Sequence, residues 1–179
     1  MVDVEAITVG DVPVLSGLLN GVLTYVTGFV ASVALYSLVG TNALVRVAYS
    51  GLSAGAEFGF VFYGAHLVPV TDGTESLNFA LDVASSGELF VLVVAVLLAS
   101  SGYSMGAKDS LPDATTSTLA GASIALGYLP LAVAGGLYFT GTTGETTLSL
   151  SLARVVLLAG VLFPVGFGAL GGYAASLSD

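Results

Sequence analysis

The sequence predicts an all-α fold, a polytopic bundle of five transmembrane helices, and three observations predict it. Of 179 residues, 55% are hydrophobic and 8% charged, against roughly half and a quarter in an ordinary soluble domain. Mean hydropathy is +0.98. The apolar residues fall in blocks of about 18–27, the length needed to cross a hydrocarbon core about 30 Å thick. Residues 1–179 therefore read as one transmembrane domain with an acidic segment at 1–12.

The first span is expected at 13–39, with Asp11 as its cap and Pro13 in the first turn, where a missing N–H costs nothing. The opening Met1-Val2-Asp3-Val4-Glu5 lacks the positive region of a signal peptide, so this span is expected to be retained. The second block, 44–70, is long enough to span but carries Arg46, Glu57 and His66. Each charge near a bilayer centre costs about 2.5–3.5 kcal/mol. The block is expected as a span shielded by the other four. A re-entrant or interfacial helix beside four spans is the alternative. Residues 71–87 then form an outside connection, with an amphipathic turn at Leu77-Asn78-Phe79-Ala80-Leu81.

The third span, 88–104, contains the uninterrupted apolar run Leu89 to Leu98, and a polar turn at 108–113 separates it from a fourth span at 116–139. Residues 140–145 are a loop by composition, and the fifth span covers 148–177. Pro130 and Pro164 predict kinks or unwound segments in these last two spans. Paired helix breaks are one pointer to a transporter site, although proline is also common in spanning helices.

On a helix at 100° per residue, Arg46, Ser50, Ser53, Glu57 and Gly64 share one stripe of the second block, and Gly51, Gly55, Gly59, Phe62 and His66 the opposite one. Arg46 and Glu57 stand about 16 Å apart along the axis, too far for a direct bridge. Gly51, Gly55 and Gly59 form a doubled small-residue repeat that lets another helix backbone approach. Leucine at Gly55 is therefore expected to disrupt assembly far more than leucine at Gly141. Arg46, Glu57, Tyr63 and His66 make up the candidate intramembrane polar site, because ionisable groups at such depth often mark ion or proton paths. The plainer reading has Arg46 snorkelling at a helix end and Glu57 fixing register.

The segment Gly59-Phe60-Val61-Phe62-Tyr63-Gly64-Ala65-His66 resembles a Gly-aromatic-x-Phe-Tyr-x-Ala-His motif in a family of uncharacterised haloarchaeal multi-pass membrane proteins. Phe60 stands where that pattern has Trp, and Gly64 where it has Asn. The resemblance implies family membership and habitat, and no activity. Twelve acidic residues against three basic ones, net charge −9, lead to the same habitat on independent grounds. At molar salt the Debye length falls to about 3 Å and carboxylate crowding becomes tolerable. The expected location is the cell membrane of a halophilic archaeon.

Composition also excludes classes. The acidic balance leaves no basic footprint for nucleic acid. With no cysteine and one histidine, thiolate and histidine-rich metal sites are not available within one chain. No Gly-x-x-x-x-Gly-Lys phosphate loop and no intramembrane aspartate pair occurs. The sequence therefore predicts no enzyme, cofactor site or metal site. Its expected partners are the bilayer and a homo- or hetero-oligomer formed through glycine-faced helices. Three cations, Arg46, Lys108 and Arg154, orient the chain only through the positive-inside rule. Five spans with Lys108 inside place the N-terminus outside, and four spans place both ends inside. The expected function is a structural or assembly component of a membrane complex; the alternative is a small ion or solute transporter using Glu57.

Overall fold

The computed structural model describes residues 9, 12–39, 51–84, 86–108 and 111–178. It is 71% helical and carries a small sheet. Four helices are long and apolar enough to cross a membrane: Val14–Val39, Glu88–Gly106, Ala114–Tyr138 and Leu152–Ser176. In chain order the elements are α1 (Val14–Val39), α2 (Ala54–Gly64), β1 (Val70–Thr71), β2 (Ser76–Leu77), a π-helical turn (Phe79–Val83), α3 (Glu88–Gly106), α4 (Ala114–Ala122), α5 (Ala125–Tyr138), β3 (Gly141–Thr143), β4 (Thr146–Leu150), α6 (Leu152–Arg154), a π-helical stretch (Val155–Leu162) and α7 (Phe163–Ser176).

The second apolar block departs from the expected continuous span. Its described part, from residue 51, forms only the 11-residue α2, about 16 Å long and half a hydrocarbon core. Ser53 starts the helix, its Oγ accepting from the Ala56 N–H at 3.3 Å, and Glu57 in the first turn suits the positive end of the helix dipole. The helix stops at Gly64 because Leu67 adopts a left-handed φ of 61°. Its N–H returns to the Gly64 carbonyl, and the Val68 N–H to that of Tyr63. Pro69 then bars helical continuation. Arg46 and the start of the block at Leu44 lie outside the described residues.

The segments expected as connections fold instead into a four-stranded sheet in the order β2-β1-β4-β3. Val70 pairs with Leu77 on one side and with Leu150 on the other, and Gly141 pairs with Leu148 across a hairpin. Val70, Leu148 and Leu150 are buried. The fifth block accordingly opens as strand at 148–150 and becomes helical at Leu152. The amphipathic turn expected at 77–81 corresponds to the π-helical turn, capped by Asn78.

Neither proline interrupts its helix at its own position. Pro130 lies inside α5, and the discontinuity falls at Ser123–Ile124, where the Ser123 hydroxyl donates to the Ala120 carbonyl at 2.6 Å. Ahead of Pro164 the backbone widens into the eight-residue π-helical stretch, which makes room for a ring that would clash with the carbonyl four residues back.

The chain divides into two compact units, one within Met1–Val26, Ala95–Leu131 and Gly160–Asp179, the other within Thr27–Val94 and Ala132–Ala159. The first unit is held by backbone-to-backbone packing. A Cβ built on Gly102 would collide with the Gly168 carbonyl oxygen, and one on Gly106 would meet the Gly172 Cα at 2.6 Å. Any side chain at these positions would drive α3 and α7 apart. The same closeness recurs between Gly127 and Leu18 and between Gly171 and Ala99. Thr24 and Asn20 add hydrogen bonds to Ser101 and Met105, and Tyr25 stands edge-on to Tyr128 at 5.1 Å. The second unit holds α2, the aromatic side chains around it and the four-stranded sheet.

Candidate functional site

Three of the four residues of the predicted polar site fall on or next to α2. Its N-terminal end lies by the β3–β4 hairpin, where a Cβ built on Gly51 would be in ordinary contact with Thr143. One turn into the helix, Glu57 accepts a hydrogen bond from the Tyr36 hydroxyl at 2.6 Å. Tyr36 also faces Phe58 and Phe90, at ring distances of 6.2 and 6.4 Å. Further along, Phe62 stands edge-on to Phe29 at 5.5 Å, seven residues or about 10 Å back along α1 from Tyr36. Tyr63 donates to the Ala132 carbonyl at 2.5 Å, six residues before the end of α5. Phe90, the third residue of α3, returns the chain to the level of Tyr36. Helix α2 thus runs antiparallel to α1 and turns at Leu67, and the antiparallel β1–β2 pair returns the chain to its Gly64 end.

Phe60, Phe62, Tyr63 and His66 are 0% exposed. His66 packs edge-on to Phe62 at 4.8 Å, and its Nδ1 lies 2.8 Å from the Phe62 carbonyl. A carbonyl can only accept, so Nδ1 carries the proton. Phe139 stacks on Phe29 at 5.7 Å and closes the aromatic cluster. Glu57 is half-buried at its outer edge. Six residues on a helix turn through 240° and rise about 9 Å. Glu57 and Tyr63 therefore occupy different faces and different depths, and the helix does not bring them together into one site.

The three glycines of the doubled repeat have different surroundings. Gly51 precedes α2, Gly55 has nothing within 4 Å of a built Cβ, and a Cβ on Gly59 would strike the Phe139 ring. The inner end of α2 is fastened by Asn78, which the sequence pattern places only in a turn. The Asn78 amide donates to the Gly64 carbonyl at 3.1 Å, while its Oδ1 accepts from the Ala80 and Leu81 N–H groups. A Cβ at Gly64 would lie 2.5 Å from the Ala80 nitrogen, so this latch requires glycine.

Chemically, a tyrosine hydroxyl donating to a carboxylate fixes the orientation of that carboxylate and occupies one of its lone pairs. Among the described residues no three His, Asp or Glu side chains converge in a metal-binding group. Sequence alone does not single out Tyr36. Its signal is a seven-residue spacing from Phe29, which puts both on one face of α1. In comparisons with known proteins, no curated protein and no solved structure matches the chain. A family model does match, over residues 6–179. The chain accordingly belongs to DUF7978, a family of unknown function.

Proposed function

We propose that the chain is an integral multi-pass membrane protein with four spans and one re-entrant helix, α2, and that its role is non-enzymatic, as a structural or assembly component of a membrane complex. Large apolar side chains on the helix exteriors support the membrane reading: Leu23, Leu92, Leu137, Leu157 and Leu170 are each more than half exposed. In water such a surface would aggregate; in lipid it is solvated. The observation that carries the structural role is the glycine packing of the first unit, which fixes α3, α4 and α7 at backbone contact. Helices held this closely form a rigid scaffold, with little freedom to rock as an alternating carrier does. The acidic balance of the sequence supports a halophilic setting for that scaffold.

Cysteine labelling in intact cells tests the topology against a chain that has no native cysteine. Single cysteines at Asn42, Thr74 and Thr143 are expected to label from one side and Ser110 from the other. Labelling of Asn42 and Thr74 from opposite sides would restore five spans and overturn the re-entrant helix.

The second reading, a small ion or solute carrier using Glu57, is favoured by one observation. Glu57 is a carboxylate held on a short inward-running helix, and its hydrogen-bond partner, Tyr36, comes from a neighbouring span. Proteoliposome flux abolished by Glu57→Gln would support the carrier. A stable complex from native membranes, without flux, would support the scaffold.

A further inference from the structure

Where β1 and β2 meet the start of the last helix, an open polar cup of about 290 Å³ lies between two walls. One wall carries Thr71, Thr74, Glu75 and Ser76, and the other Ser151 and Arg154. Arg154 is exposed and makes no hydrogen bond or ion pair with the described residues. It is one of three cations in a chain of net charge −9. Ser151 occupies the N-cap position without a side-chain capping bond, so its hydroxyl is a further donor on the same wall. The Thr71 and Thr74 hydroxyls are already committed as donors, to the Glu75 carbonyl and to Asp72.

We propose that this cup binds the phosphate of a lipid headgroup. The inference rests on the membrane reading, under which Leu152 begins a span and Arg154 lies at headgroup level. The guanidinium supplies a fork of donors matched to phosphate oxygens, and the Ser151 hydroxyl adds to it. The opposite wall differs in kind. The Glu75 carboxylate repels a second anionic group and accepts from hydroxyl or ammonium donors, so the favoured headgroup carries such a donor beyond its phosphate. Phosphatidylglycerol meets both requirements and phosphatidylcholine only the first.

Native mass spectrometry of the full chain in detergent, titrated with short-chain phosphatidylglycerol, phosphatidylcholine and inorganic phosphate, tests the assignment. Wild type is expected to retain phosphatidylglycerol about tenfold more tightly than phosphatidylcholine, a difference worth about 1.4 kcal/mol. Arg154→Gln should abolish retention of both lipids, and Arg154→Lys should restore part of it. Glu75→Gln should narrow the preference while keeping phosphate affinity, a change that general misfolding would not produce. Equal retention of phosphatidylglycerol by wild type and Arg154→Gln would overturn the site. Displacement of lipid by inorganic phosphate at equal concentration would reassign the cup to a free anion and overturn the lipid source. Carbonate extraction of the same membranes separates a failed membrane reading from a failed cup. Release of the chain refutes the membrane reading, whereas a retained chain with no headgroup preference refutes the cup alone.

Discussion

Asp72 illustrates how much a single side chain organises at the edge of the sheet. Its Oδ1 accepts from the Thr74 N–H, the Thr74 hydroxyl and the Glu75 N–H, each at 2.8 Å. These bonds favour the carboxylate, and the backbone donations from Glu75 and Thr74 hold the pKa at about 2 against an ordinary 3.8. The sign follows from linkage: a group with a depressed folded pKa stabilises above its unfolded value and loses that contribution as pH falls through the folded one. The Asp72–Glu75 turn is therefore expected to keep its order down to about pH 4 and to lose it towards pH 2. Hydrogen exchange at the Thr74 and Glu75 amides checks this, and Asp72→Asn should flatten the pH dependence. Asp113 is lowered in the same way by the Thr116 backbone donation, as the cap of α4. Such local caps are legible in sequence because donor and acceptor lie within three residues. The Tyr36–Glu57 pair, 21 residues apart on two elements, was legible only as a carboxylate in need of a partner.

Among the elements, the helices of the glycine-packed unit are the most sensitive to added volume. Gly102→Leu is expected to destabilise strongly or prevent assembly, because overpacking a tight interface costs about 1–3 kcal/mol or more and here the obstacle is the Gly168 backbone. Gly166→Leu, on the same helix as Gly168 but with nothing within 4 Å, should be tolerated. Thermal unfolding in detergent distinguishes them. The same measurement should reverse the order expected from sequence for Gly55 and Gly141. Gly55 opens onto free space, whereas a Cβ on Gly141 would press on Leu52 at 2.5 Å. Spacing identifies which glycines can face a neighbour, but not whether a neighbour is there. A repeat at the outer end of a short helix has fewer backbones to meet than one inside a long helix pair.

For the whole molecule, the four long helices were legible because a hydrophobic run is a local property read from a window of sequence. The sheet was not. Val70 pairs with Leu150, eighty residues away, in strands of two and five residues, too short for an alternating pattern to register. The length of the second block suggested a span and its charges spoke against one; the described part holds the 11-residue α2, ended by the turn at Leu67. Twelve acidic residues against three basic ones make self-repulsion a property of the entire chain. Raising potassium chloride from about 0.1 to about 3 M should therefore raise the unfolding temperature, because screening shortens the Debye length from about 10 Å to below 3 Å. A flat response would argue against the halophilic setting.

The burial of the Gly64 end of α2 also has an electrical consequence. Its peptide dipoles all point one way, so the end at Gly64 carries a fixed negative pole of about half an elementary charge. That pole lies among side chains that are 0% exposed, where no water screens it. The Leu67 and Val68 N–H groups, His66 Nδ1 and the Asn78 amide all turn onto its terminal carbonyls and offset it. The end of α2 is thereby closed by the protein's own donors and costs less to bury than a bare helix terminus would.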